Sequence, residues 1–396
     1  MSINVGVGVS VLKEPLGAAQ EALQRAKANF LRERIDLVFI FATPEFSYPL
    51  ILKSLNSYIP QIPIIGCSGA AIISRNGILK HGILIMLASF TEGIYFNTGC
   101  VEEISRKSPL HAGEELGEKL LYGFKNIRRD LSLIFSDGVT TNNQELVDGL
   151  QEMLGRSFPL VGACASNNLK FIKNNVFFNQ NTLGDAACGI LWGGKLSFGL
   201  GIKHGWKPLG KPRHVTKSAG NVVYAIDQQP ATRLYEEYLD CDIAKLKNEL
   251  KFISGFYPIG VYIPGEEEYL LRNIRSIEDN GALVLQGNVP ENSQIRLMIG
   301  TKESCLTATH QAINEAIKEL PGHQPDIVFV FDSISRYMLL GRSASKELDI
   351  IKEGVGPNCQ IAGVYTYGEL APMTAIGYRG KAYLHNQTVT FLAIGG

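Results

Sequence analysis

The sequence has no apolar run of about 20 residues, the length a helix needs to span a bilayer. Its start, MSINVGVGVS, lacks the basic region, apolar core and small-residue cleavage site of a secretory signal, so none is expected. Charge of one sign is missing too. The 38 basic residues balance 38 acidic ones, which argues against a nucleic-acid or anionic-membrane surface. The seven cysteines (Cys67, Cys100, Cys164, Cys188, Cys241, Cys305 and Cys359) form no C-x-x-C pair and are odd in number. Reduced thiols in a cytoplasm are expected, each most simply a small core residue, and not a disulfide scaffold or a zinc site. No P-loop or H-E-x-x-H occurs, the histidines are dispersed, and neither a metal nor a cofactor is expected. VGVGVS lacks the third glycine of a dinucleotide fingerprint, and GCSGA at Gly66 brings its second glycine one residue too early for a nucleophile elbow.

What the chain does have is apolar content of 45 % against 19 % charged residues, the profile of a compact protein. Its 396 residues allow about two to three domains. The main signal is repetition. DLVFIF (Asp36 to Phe41), DLSLIF (Asp130 to Phe135) and DIVFVF (Asp326 to Phe331) each run from Asp to Phe through mostly apolar residues, the pattern of a buried strand. A polar loop, a helical stretch and a second apolar run closing on Gly follow each time: IPIIGCSG, FPLVGACAS and CQIAGVYTYGE. The spacing is that of a β-α-β crossover.

Upstream of the first copy stands a strand, a Lys-Glu loop and an amphipathic helix. IRLMIGTKESCLTATHQAINEAIKE reads the same way before the third copy, and HAGEELGEKLLYGF supplies the helix before the second. Downstream come strand patterns: GILIMLASF, DAACGILWGGKLSFGLGI and HNQTVTFLAIG. The expected fold is therefore α/β, with mixed sheets flanked by helices, three related β-α-β-plus-hairpin units and two domains. Residues 1–205 hold two units. Residues 206–396 hold a connector and the third unit, with the boundary near the Pro- and Gly-containing stretch Gly205 to Lys211.

In open α/β sheets ligands gather at strand C-termini, where backbone amides and loop side chains are free. The candidates there are Cys67 and Ser68 from the first unit and Asp137 and Cys164 from the second. From the third come Ser333, Arg336, Tyr365, Thr366, Tyr367 and Glu369. Ser333, Thr43 and Thr140 read equally well as helix caps. GVYTYGELAP, which holds two tyrosines and a carboxylate after Gly363, is richest in groups that can hold a ligand.

These residues carry a resemblance. DLVFIFATPEF, IPIIGCSGA, SDGVTTNNQELVDGL and FFNQNTLGDAACGILWGG resemble the N-terminal domain of the FIST family, named for F-box and intracellular signal transduction proteins. GWKPLG, NVVYAIDQQPA, SIEDNGALVLQGNVPENSQIRLM and above all GVYTYGELAP resemble its C-terminal domain. The chain departs from the family pattern where Ser333 replaces a cysteine in FDSISR, where AAII follows GCSG, and in GACASNN.

The resemblance implies a cytoplasmic sensory protein that binds a small molecule, an amino acid or related metabolite. Because residues 3 to 396 are taken up by the sensor region, its signal is expected to pass to a separate downstream signalling protein. Within this reading Glu369 would hold an ammonium and Arg336 a carboxylate. Two alternatives stand beside it. One is a cysteine-dependent enzyme using Cys67 or Cys164, each just beyond a strand-ending Gly. The other is a protein-interaction scaffold with a vestigial pocket.

Overall fold

The structure, a computed structural model, describes residues 3–167, 174–373 and 380–395. The first unit comprises β1 (Ile3–Ser10), α1 (Pro15–Ala28), β2 (Leu37–Ala42), α2 (Tyr48–Tyr58), β3 (Ile64–Ser68), the hairpin β4 (Ile72–Ser74) and β5 (Gly77–Leu79), and β6 (Ile83–Phe90). The second repeats it as β7 (Tyr95–Val101), α3 (Pro109–Leu121), β8 (Arg129–Ser136), α4 (Asn143–Leu154), β9 (Leu160–Cys164), β10 (Val176–Phe178), β11 (Asn181–Leu183) and β12 (Ala187–Gly193).

The third unit opens with β13 (Phe198–Lys203). The chain then leaves it for an insertion: β14 (Lys207–Ala219), β15 (Val222–Ile226), β16 (Gln229–Pro230), α5 (Arg233–Leu239), α6 (Ile243–Asn248), α7 (Leu250–Phe256), β17 (Ile259–Val261), β18 (Leu270–Arg272), β19 (Ile274–Ile277), β20 (Leu283–Leu285) and β21 (Gln294–Ile299). It returns as α8 (Lys302–Lys318), β22 (Ile327–Ser333), α9 (Ile334–Leu340), α10 (Ala344–Val355), β23 (Gln360–Thr366), the hairpin β24 (Gly368–Pro372) and β25 (Ala382–His385), and β26 (Val389–Ile394).

The three main sheets have one topology: β1-β6-β2-β3-β10-β11, β7-β12-β8-β9-β24-β25 and β13-β26-β22-β23-β4-β5. The last two strands of each belong to another unit. The second unit's hairpin completes the first sheet, the third unit's completes the second, and the first unit's completes the third. The exchange is cyclic.

Repetition in sequence becomes repetition in packing. In β2 the side chains Leu37, Phe39 and Phe41 enter a core shared by all three sheets, while Val38, Ile40 and Ala42 pack under α1 and α2. Both faces are buried, which is why the strand reads as a continuous apolar run. The Phe that ends each repeat meets its two counterparts. Ring centroids lie 5.6 Å apart for Phe41–Phe135, 6.4 Å for Phe41–Phe331 and 5.8 Å for Phe135–Phe331, all edge to face. Such pairs add about 0.5–1.5 kcal/mol beyond burial.

The closing glycines have a shared cause as well. Gly66, Gly162 and Gly363 lie opposite Ile40, Ile134 and Val330 in parallel pairs. A Cβ on them would stand 1.8, 2.3 and 2.6 Å from the carbonyl oxygens of those residues. The opening Asp fixes strand entry in two units. Asp36 accepts from Phe90 N (2.8 Å) and Asp130 from Leu196 N (3.1 Å), tying the start of each strand to the end of β6 and to the residues just after β12, the last strands of their own units.

The sequence-based reading of IRLMIG as the strand that opens the third unit is corrected. That strand, β21, pairs with β14 and β17 in the inserted sheet. The opening position belongs to β13, which pairs with β26 along its length. Both segments are short and apolar, so only pairing separates them. β13 precedes the expected boundary at residue 205, yet it lies in the third unit's sheet.

Candidate functional site

The strand ends of the three units meet at one end of the shared core, and Ser166 joins them. Its hydroxyl donates to the Tyr365 carbonyl of the third unit (2.5 Å) and accepts from Ala70 N of the first (2.9 Å). Ser68 Oγ donates to the Ser166 carbonyl (3.0 Å). The loops carrying GCSGA, GACAS and GVYTYGE are thus in direct contact. Asn168, at the end of the ASNN run, lies outside the described residues.

The ten ligand-binding candidates named from the sequence are all buried, whereas Thr140 is exposed. Arg336 is saturated. Its Nε donates to Asp332 Oδ1 (2.9 Å), its Nη1 to the His204 carbonyl (2.6 Å), and its Nη2 to Glu347 Oε1 (2.5 Å), Thr309 Oγ1 (2.7 Å) and the Cys305 carbonyl (3.1 Å). Burial pushes the Asp332 carboxyl well above the usual carboxylate range, and the neighbouring Glu347 adds to this. Among the described residues no ion pair joins Arg336 to Glu369.

Glu369 accepts from Thr366 Oγ1 (2.6 Å) and Thr388 Oγ1 (2.7 Å). Burial nevertheless raises its carboxyl to about 8. Tyr365 stacks at a tilt on Tyr337, with centroids 4.5 Å apart. Ser333 caps α9, accepting from Ser335 N (3.3 Å). Asp137 accepts from Val139 N (2.7 Å), Thr140 N (3.0 Å) and Asp185 N (2.9 Å), so it organises its own loop. Burial pushes the Cys67 and Cys164 thiols up, away from the reactive thiolate. Among the described residues no cluster of three or more His, Cys, Asp or Glu is placed to hold a metal ion.

Two adjoining cavities open between this buried centre and the insertion. The larger, of about 710 Å³, takes Gly138, Ser335 and Tyr367 from the repeated body and Ser254, Asn273, Arg275 and Gln286 from the insertion. The smaller, of about 210 Å³, lies along the loop leading into α4, with Cys164 and Asn143 in its wall. Gly138, Arg275 and Gln286 border both, so the two form one cleft. Of the residues named from the sequence, Tyr367, Cys164 and Thr140 line it.

Polar bonds close the back of the cleft. Gln286 Nε2 donates to the Tyr367 carbonyl (2.5 Å), Gln387 Nε2 to the Ser254 carbonyl (2.8 Å), and Arg272 Nη1 to the Leu384 carbonyl (2.9 Å). Arg275 leans on the body through the Val139 carbonyl (3.2 Å). Sequence reasoning did not single out Arg275, Gln286, Asn273 or Ser335. Arg275 begins just before the SIEDNGALVLQGNV block, and Gln286 falls inside it. Nothing local distinguishes either residue. Their role comes from where the insertion folds back.

An uncharacterized protein of Methanocaldococcus jannaschii is 24 % identical over 364 residues, covering 86 % of this chain and 68 % of that protein. A cyanuric acid hydrolase structure, described as evolutionary innovation by structural concatenation, aligns over all of both chains at 8 % identity and a TM-score of 0.35. The FIST N domain matches residues 36–229 and the FIST C domain residues 231–372, so the chain belongs to the FIST family.

Proposed function

We propose that this protein is a small-molecule sensor whose ligand enters the cleft between the repeated body and the insertion. FIST domains are sensory domains, and the observation that carries the reading is the cleft itself. At about 710 Å³ its larger part falls in the size range of ligand pockets. Polar side chains from both sides converge on it. A ligand there touches body and insertion together, so binding alters how firmly the two are held, and that difference is what a separate partner would read. Buried thiols with raised pKa values count against the cysteine-enzyme alternative. Among the described residues no helix is long and apolar enough to cross a membrane.

The test is a thermal-shift and calorimetric screen of metabolites against the full chain and a Tyr367→Phe, Ser335→Ala variant. A ligand at 100 times its Kd should stabilise the fold by about 2.7 kcal/mol. Loss of that shift in the variant supports the cleft. A shift that survives unchanged, or no shift with any metabolite, would overturn the reading.

A further inference from the structure

On that reading of the cleft, we infer the chemical class of the ligand: an amphipathic carboxylic acid with a neutral hydrogen-bond donor near its carboxylate, such as a hydroxy acid or an N-acyl amino acid, and not a zwitterionic amino acid. The first reason is charge. Among the described residues neither part of the cleft has an aspartate or glutamate in its wall, whereas Arg275 and Lys247 both stand there. Lys247 is drawn to Asp279 on the surface (2.7 Å). Arg275 is exposed, and among the described residues no carboxylate forms an ion pair with it. The nearby Asp137 carboxylate is already occupied by three backbone N–H groups. An ammonium entering this cleft would lose water without gaining a counter-ion, which is costly. A carboxylate instead meets a guanidinium that, among the described residues, has no counter-ion and gives one bond to the Val139 carbonyl.

The second reason is hydrogen bonding. Asn143 is 3 % exposed and borders the smaller cavity. Its Nδ2 donates to the Asp137 carbonyl (2.8 Å) and the Thr141 carbonyl (3.4 Å), which fixes the amide orientation. Among the described residues its Oδ1 has no partner, and neither has the buried hydroxyl of Thr141 beside it. A buried acceptor left open asks for a donor, and a hydroxyl or an amide N–H supplies one without adding charge. The third reason is the larger cavity, where Leu250, Phe252, Ile274, Ile334 and Met338 offer an apolar wall. Arg275 stands at the junction, so the carboxylate sits there, the donor points into the small cavity and the apolar body fills the large one. Glu267, Glu268 and Glu303 instead line a separate cavity of about 480 Å³.

Calorimetric titration of the full chain with 3-hydroxyoctanoate, N-octanoylglycine, octanoate, leucine and octylamine tests this. The two acids bearing a donor should bind, octanoate several-fold more weakly, and leucine and octylamine not measurably. Arg275→Ala should weaken the acids at least about tenfold, the scale of a lost charge-assisted pair, and Arg275→Lys should restore part of it. Because Arg275 is exposed, the variant folds, and its unliganded melting temperature should match the parent. Leucine binding that ignores Arg275→Ala but is lost in Glu268→Gln would overturn the ligand class and move the sensor site to the acidic cavity. Equal binding of octanoate and octylamine would overturn the class as simple partition into an apolar cavity. No binding by any probe, with no hit in the wider screen, would sink both the class and the sensor reading.

Discussion

Arg336 and Arg275 are the same residue type at opposite extremes. Arg336 is fully enclosed, holds two carboxylates and two carbonyls, and ties β22 to α8 and α10. Arg275 lies open on the insertion, held by one carbonyl. A guanidinium with every partner inside the fold is spent on the fold. One with room for a partner is available to something else. The contrast separates the part of the molecule that supplies shape from the part that is free to recognise.

The strongest way to break this comparison is to truncate the enclosed arginine. Arg336→Ala should destabilise by about 3–5 kcal/mol in denaturant unfolding, because it leaves Asp332 and Glu347 buried without a cation. A loss within about 0.5 kcal/mol would mean that the cluster relaxes or takes up protons, and would end its structural assignment. Phe331→Ala removes one ring of the central triangle and should cost a comparable amount, about 3–5 kcal/mol.

A smaller effect is expected at Glu369. Burial raises its folded pKa to about 8, above the ordinary carboxyl value of 4.5. Between those values the native carboxyl keeps a proton that the unfolded chain has released. Its contribution is therefore fully present below about pH 4.5 and is lost as pH rises through about 8. Glu369→Gln should flatten the fall in stability between pH 5 and 8. An unchanged slope would mean that the carboxyl is ionised in the native state.

Arg275→Ala, by contrast, should move stability by no more than about 0.5 kcal/mol, as surface substitutions do. A larger loss would place Arg275 with Arg336 as a residue of the fold. The smallest expected effect is in thiol chemistry: Cys100, partly exposed, should react with iodoacetamide before Cys67 and Cys164, which are buried. Fast labelling of Cys67 or Cys164 would reopen the enzyme alternative.

Much of the fold was legible because it rests on local pattern. The Asp-to-Phe runs announced β2, β8 and β22, and their closing glycines mark a close approach that any side chain would block. The hairpin exchange was not legible. Ile72–Ser74 pairs with β23 nearly 300 residues away, and nothing in the tripeptide Ile-Ile-Ser names that partner. The same limit led to the misassignment of IRLMIG, since β13 and β21 look alike until they pair. At the candidate site the sequence located the meeting of the three loops but not their depth. Glu369, Thr366 and Tyr365 have polar chemistry, but they are enclosed by strands from other units. The open group, Arg275, sits on the insertion, and its position depends on how the insertion folds back.

The cyclic hairpin exchange has a consequence for how such a chain can diversify. Its geometry is that of three subunits, each lending an arm to its neighbour, threaded onto one polypeptide. Identical subunits would have to change all three faces at once. A single chain carries no such obligation. Here the third unit alone accepts an inserted sheet and carries the Tyr-Glu loop, while its hairpin still completes the second sheet and the ring stays closed.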